Sequence, residues 1–141
     1  MTGDELYQIS TRTGIFSNDR VFDGYISMII CSNGNCCNIT NMDNPVTSGF
    51  QRGSLDIFTG SALDYCDGFV YDPTDLNLTV FRPLNSASYV WRAWYVQLQA
   101  TNGNEIRCQK DNGTVKFELM SNDELMLNCT QAPASKCNLS I

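Results

Sequence analysis

The sequence predicts an all-β chain, a sandwich or barrel of many short strands, and three observations predict it. Apolar residues recur with period two along nearly the whole length. Turn formers such as Asp23-Gly24, Asn102-Gly103 and Asn112-Gly113 punctuate these runs at short intervals. No helical periodicity is sustained anywhere; Asn122-Asp123-Glu124-Leu125 can start a helix but nothing carries it on.

In chain order, Tyr7 and Ile9 alternate with Gln8 and Ser10, and Thr11 and Thr13 continue the register up to Gly14. Tyr25 to Cys31 reads as a buried strand. Ser32 to Pro45 reads as a polar, Asn-rich loop holding Cys36 and Cys37. Leu55 to Phe58 is a short strand ended by Gly60, and Gly68–Tyr71 and Leu76–Phe81 are two more. Over Arg92 to Ala100, Trp94, Val96, Leu98 and Ala100 share the inward face, while Tyr95, Gln97 and Gln99 share the other. Glu105–Cys108, Thr114–Leu119 and Leu125–Leu127 complete the set. With 141 residues, one domain is expected over 1–141, its core at 5–119, with 120–141 as a C-terminal strand and tail.

The cysteines are Cys31, Cys36, Cys37, Cys66, Cys108, Cys129 and Cys137. Cys31 and Cys36 make one zinc-type knuckle, but no second knuckle exists. The acceptor pattern Asn-x-Ser/Thr occurs at Asn38, Asn77, Asn112, Asn128 and Asn138. Both patterns favour a secreted, disulfide-bonded glycoprotein over a reduced protein whose cysteines are small core residues. If extended, adjacent Cys36 and Cys37 point to opposite faces and seek different partners. Cys108 and Cys129 close a segment able to fold back as a hairpin, which pairs them. The remaining connectivity stays open, and the odd count leaves at least one thiol without an intrachain partner.

Composition excludes several functions. The net charge of −6 opposes nucleic acid, where affinity comes from Lys and Arg on phosphates. It also opposes simple attraction to anionic lipid. The chain has no histidine, which removes Ser-His and Cys-His nucleophile pairs and most zinc sites. A non-catalytic protein is expected. The N-terminal MTGDELYQIS lacks the basic start and apolar run of a signal peptide, so a secreted form is expected to be a mature fragment.

The order of motifs resembles the PLAT, or lipoxygenase-homology, domain family. Tyr7 to Gly14 is similar to its opening strand, and Phe22 to Met28 to its turn into the second strand. Asp43-Asn44-Pro45 followed by Phe50-Gln51-Arg52-Gly53-Ser54-Leu55-Asp56-Ile57-Phe58 resembles its aromatic, basic, Gly segment before an Asp-x-Phe strand. Trp91 to Leu98 resembles its Trp-led strand, and Cys108 falls where a cysteine often closes the next one. The likeness spans roughly 5 to 110. It departs from the family at Phe81-Arg82-Pro83-Leu84-Asn85, where a His-Asp-Asn-like segment is usual, and 118–141 has no counterpart.

The resemblance implies an antiparallel β-sandwich of two roughly four-stranded sheets. It also implies a non-catalytic module that docks to lipid membranes through exposed loop aromatics, sometimes with calcium, or binds proteins. Trp91, Tyr89 and Phe16 are the candidate lipid- or partner-binding residues, with Ile15 beside Phe16. Packing at the sandwich edge is the competing reading for Trp91, and the favoured one. Asp19 and Asp23 are the first candidate calcium ligands, ahead of Asp72, Asp75, Asp43 and Asp56; no other cofactor is expected. Arg52-Gly53 with Asp56 reads as a structural turn. The alternative function is a structural subunit of an extracellular fibre, coat or matrix, joined by self-assembly or an interchain disulfide. A carbohydrate-binding face using Trp91, Tyr89 and Trp94 is a third reading.

Overall fold

The computed structural model describes residues 3–15, 26–42, 53–82, 90–120 and 123–132. Phe16, Asp19, Asp23, Asp43, Arg52, Tyr89, Cys137 and Asn138 lie outside the described residues. The described strands are β1 (Asp4–Thr13), β2 (Ile26–Ser32), β3 (Asn35–Met42), β4 (Leu55–Thr59) and β5 (Val70–Tyr71). They continue with β6 (Leu76–Phe81), β7 (Trp91–Ala100), β8 (Glu105–Gln109), β9 (Phe117–Leu119) and β10 (Glu124–Gln131).

The strand order is β3-β2-β6-β10-β8-β7-β1-β4, with β5 added on β1 and β9 on β7, and every pairing is antiparallel. β10 turns the corner between two sheets. Its first half, Glu124–Leu127, pairs with β6, and its second half, Asn128–Gln131, pairs with β8. The result is the expected all-β sandwich: sheet one is β4-β1-β7-β8-β10 and sheet two is β3-β2-β6-β10. A strand that serves both sheets is the usual way to make such a corner.

Period two sets which side chains meet between the sheets. Ile9, Phe58, Val96, Leu98 and Ile106 of sheet one are buried, as are Met28, Ile30, Ile39, Leu78 and Val80 of sheet two. Their outward neighbours Gln97, Gln99, Asn38 and Asn77 reach solvent.

Three bridges hold the sandwich. Cys108–Cys129 joins directly opposed residues of β8 and β10, the expected pair. Cys36 points outward and bonds Cys31 across the β2–β3 hairpin, while Cys37 points inward and bonds Cys66. The neighbours do seek different partners. The segment expected as a loop over 32–45 is instead largely strand β3. Asn33 (φ 52°) and Gly34 (φ 81°) both take positive φ and form a two-residue hairpin turn. Asn-Gly is the strongest short hairpin signal; the surrounding asparagines masked it, because they occupy outward strand positions.

The inward face of β7 also differs from expectation. A register shift against β1 falls between Arg12 and Thr13, opposite Tyr95 and Ala93. It turns Trp94 out of the inward series, and Trp91 and Ala93 take the buried positions instead. Trp94 is half-buried, with the Lys116 ammonium 5.8 Å from its ring centre.

Tyr71 carries a measurable cost. Its ring is buried, and its hydroxyl has no hydrogen-bond partner among the described residues. Burial, then the Asp4 carboxylate, push its pKa above the ordinary value. Tyr71→Phe removes an unsatisfied buried hydroxyl and is expected to stabilise the protein by about 1 kcal/mol at neutral pH. The raised pKa keeps the folded form protonated after the unfolded chain ionises near 10.0. Wild-type stability therefore falls as pH rises above that value, and Tyr71→Phe loses this part of the fall. Urea denaturation at neutral and strongly alkaline pH checks both signs.

Candidate functional site

The strands place two unlike ends on the sandwich. One end, called here the Trp91 end, gathers the close of β1, the starts of β2, β4 and β7, the close of β6 and of β9, and the start of β10. Backbone hydrogen bonds knit it: Gly14 N–H donates to Arg92 O (3.0 Å), Gly53 N–H to Gly14 O (2.8 Å) and Thr13 N–H to Ser54 O (3.0 Å). Gly53 sits at φ 69°, so glycine there permits the turn into β4. The Arg12 guanidinium donates to Gly53 O (3.1 Å). Asp56 points inward, is buried, and accepts from the Ser54 hydroxyl (2.8 Å). This agrees with the structural reading of the Gly53–Asp56 turn.

Trp91 is not a surface residue. It is fully buried, its indole N–H donates to the Thr13 hydroxyl (2.9 Å), and its ring meets Phe117 edge-on with centroids 5.3 Å apart. Its expected role in contacting lipid or carbohydrate is therefore corrected: the side chain closes the core beneath this end. The physical reason is the β7 register shift, which turns Trp91 inward. Arg82 is buried beside it, with its guanidinium donating to Leu119 O (3.1 Å) and its backbone N–H to Asp123 O (3.0 Å). Burial lowers its pKa and Asp123 opposes that shift; an arginine stays charged regardless.

Three apolar side chains are exposed at this end. Ile15, next after Gly14, is 70% exposed, and Met120, next after β9, is 54% exposed. Leu55, at the start of β4, is also exposed. Ile15 is the described member of the pair expected to form an apolar wedge with Phe16; Met120 was not anticipated, because a lone Met after a short strand carries no pattern. Charge here is mixed: Arg12, Arg82, Arg92 and Lys116 are offset by Asp56, Glu118, Asp123 and Glu124, and Arg92 pairs with Glu118 at 3.2 Å. On the outer face of sheet two, Ile29, Phe81, Arg82, Asp123 and Glu124 line an open depression of about 320 Å³.

The opposite end is acidic. It holds the Asn33-Gly34 turn, the 3-10 segment Gly60–Cys66, the Asp72–Asp75 turn and the Thr101–Asn104 turn. Asp4, Glu5, Asp64, Asp67, Asp72 and Asp75 lie there, and among the described residues these turns contain no Lys or Arg. Several of the carboxylates hold backbone in place. Asp75 accepts from Asn33 N–H (3.0 Å), Asp64 from Thr40 N–H (2.9 Å), and Asp4 from the Asn102 and Asn104 side-chain amides. The Thr74 hydroxyl and then its backbone N–H hold the Asp72 carboxyl below its usual pKa. Asp72 and Asp75 are thus engaged as turn residues. Among the described residues, no three His, Cys, Asp or Glu side chains gather as a metal site. The acceptors Asn38, Asn77, Asn112 and Asn128 are all exposed.

Charge separation alters how the net −6 acts. A strand of ten residues such as β1 spans about 30 Å. The Debye length at physiological salt is about 8 Å. The acidic end is therefore largely screened from anything that touches the Trp91 end.

Comparison with solved structures finds the same fold. The chain superposes on alpha toxin from Clostridium absonum with TM-score 0.65 and 16% sequence identity, over 91% of this chain and 33% of that one. A second match, alpha-toxin of Clostridium perfringens from an avian strain, gives TM-score 0.47 and 17% identity over 92% of this chain and 32% of that one. The chain thus spans about a third of the length of these toxins. No protein-family model matches the sequence. No curated protein matches it either.

Proposed function

We propose that this chain is a PLAT-like, non-catalytic extracellular module that docks on a lipid surface through its Trp91 end. The observation that carries the reading is the pairing of exposed Ile15 and Met120 at one end with the acidic residues at the other. Two apolar side chains at one end can enter the interface of a bilayer, while the acidic end faces solvent beyond the reach of lipid charge. The shared fold with a clostridial alpha toxin and the order of PLAT-like motifs support the class of module. The three disulfides support an oxidising compartment.

The test is liposome co-sedimentation of the oxidised protein, on neutral and on anionic vesicles, with calcium and with chelator. The double substitution Ile15→Asp, Met120→Asp is expected to weaken binding at least about tenfold, since burying even half of each side chain is worth roughly 1 kcal/mol or more. Tyr65→Ala is the control. Tyr65 is 91% exposed but sits between Asp64 and Asp67 at the acidic end, so its loss is expected to leave binding unchanged. Binding that survives the double substitution would sink the docking geometry. Calcium dependence would bring Asp19 and Asp23 back as ligands; binding in chelator would remove them.

A second reading, a subunit of an extracellular assembly, rests on cysteine arithmetic. Three bridges use six of the seven cysteines, which leaves Cys137 without a partner cysteine among residues 1–141. Edge strand β4 also presents Leu55 and Ile57 outward. Under this reading the native protein runs as a dimer on a non-reducing gel and Cys137→Ser runs as a monomer. A wild-type monomer would count against it.

A further inference from the structure

The asparagine acceptors are scattered in sequence, but three of them converge in space. Asn38 is an outward position of β3 and Asn77 of β6, both in sheet two, and Asn128 is an outward position of β10 at the corner, where that strand pairs with β8 of sheet one. All three are exposed, while the residues between each Asn and its Thr (Ile39, Leu78 and Cys129) point inward. A strand has period two, so Asn-x-Thr places the acceptor amide and the hydroxyl on one face. Thr40, Thr79 and Thr130 accordingly share the outward side with Asn38, Asn77 and Asn128. Leu127 pairs with Leu78, the residue after Asn77, and Asn128 is the next residue of β10, where the strand leaves β6 and pairs with β8. Asn38 lies two strands away, beyond Ile29 and Thr79, on the edge strand.

The geometry points to the outer face of sheet two and its β10 corner as a sugar-covered surface, with N-linked glycans on Asn38 and on Asn77, or on Asn128 at the corner. In each case the side-chain amide nitrogen attacks the anomeric carbon of an oligosaccharide carried on a lipid pyrophosphate. A carbon–nitrogen bond forms, and the carbon–oxygen bond to the pyrophosphate breaks with its electron pair leaving on the lipid pyrophosphate. The amide gives one proton to a base of the transferring enzyme. A glycan on Asn38 stands on β3 beside the Gly60–Cys66 segment, which already lies along that edge strand. The outer face of sheet one carries the Arg107 guanidinium, stacked 4.0 Å over the Tyr95 ring and donating to the Gln97 carboxamide oxygen (2.8 Å). Lipid docking at the Trp91 end is independent of this assignment.

The experiment is enzymatic release of N-glycans from the natively produced protein in heavy-oxygen water, followed by peptide mass spectrometry. Release converts each occupied Asn to a heavy-labelled Asp, so occupancy is read site by site without any variant. Label at Asn38 together with label at Asn77 or Asn128 is the expected result. An unlabelled Asn38, or the absence of label from both Asn77 and Asn128, overturns the glycosylated face.

Discussion

Trp91→Ala is expected to destabilise the protein by about 3–5 kcal/mol, the usual cost of truncating a buried large aromatic. The side chain is fully buried against Phe117, and the substitution also leaves the Thr13 hydroxyl without its indole donor in a buried position. Small domains are stable by only about 5–15 kcal/mol, so this one change removes a large share. Thermal or urea denaturation measures it directly, and a change below about 1 kcal/mol would contradict the burial. The prediction also governs how membrane assays are read. A Trp91→Ala protein that fails to bind liposomes has lost its fold before it has lost a contact. Ile15 and Met120 are the positions at which docking can be tested with the core intact.

The paired substitution Cys37→Ala, Cys66→Ala is expected to cost about 3–4 kcal/mol under the chain-entropy account of cross-links. This bridge spans 29 residues and fastens the Gly60–Cys66 segment to β3. Thr40 and Asp64 add hydrogen bonds at the same junction. The account also orders the three bridges. Cys108–Cys129 spans 21 residues and should cost nearly as much. Cys31–Cys36 spans only 5 and closes a hairpin already held by its turn, so its loss should cost about 2 kcal/mol. Denaturant midpoints of the three double-alanine variants test the ranking. The largest loss falling on Cys31–Cys36 would show that loop closure is not what these bridges contribute.

Most strands were legible because their signal is local. Alternation in Tyr7 to Thr13, turn pairs such as Asn102-Gly103, and the apolar run in β2 each depend only on neighbouring residues. β3 resembles a loop in sequence because Asn35, Asn38 and Asn41 have low strand propensity. There, pairing with β2 and the inward Cys37 and Ile39 outweigh that propensity. The face of Trp94 is hidden from the sequence for a different reason. Period two runs straight through β7 in the sequence, while a register shift against β1 reverses it partway along. A shift of that kind is set by the partner strand and leaves no mark on β7 alone.

The same division holds for the candidate site. Sequence by itself determined the all-β class, the disulfide chemistry, the oddness of the cysteine count and the acceptor asparagines, because each follows from residue identity and short spacing. Only the tertiary structure decided that Trp91 is core while Ile15 and Met120 are surface, that acidic residues gather at the end away from them, and that Asn38 and Asn77 share one face. Those facts depend on which strands become neighbours over separations of 40 to 100 residues, and pairing at that range is chosen by the packing of the whole core.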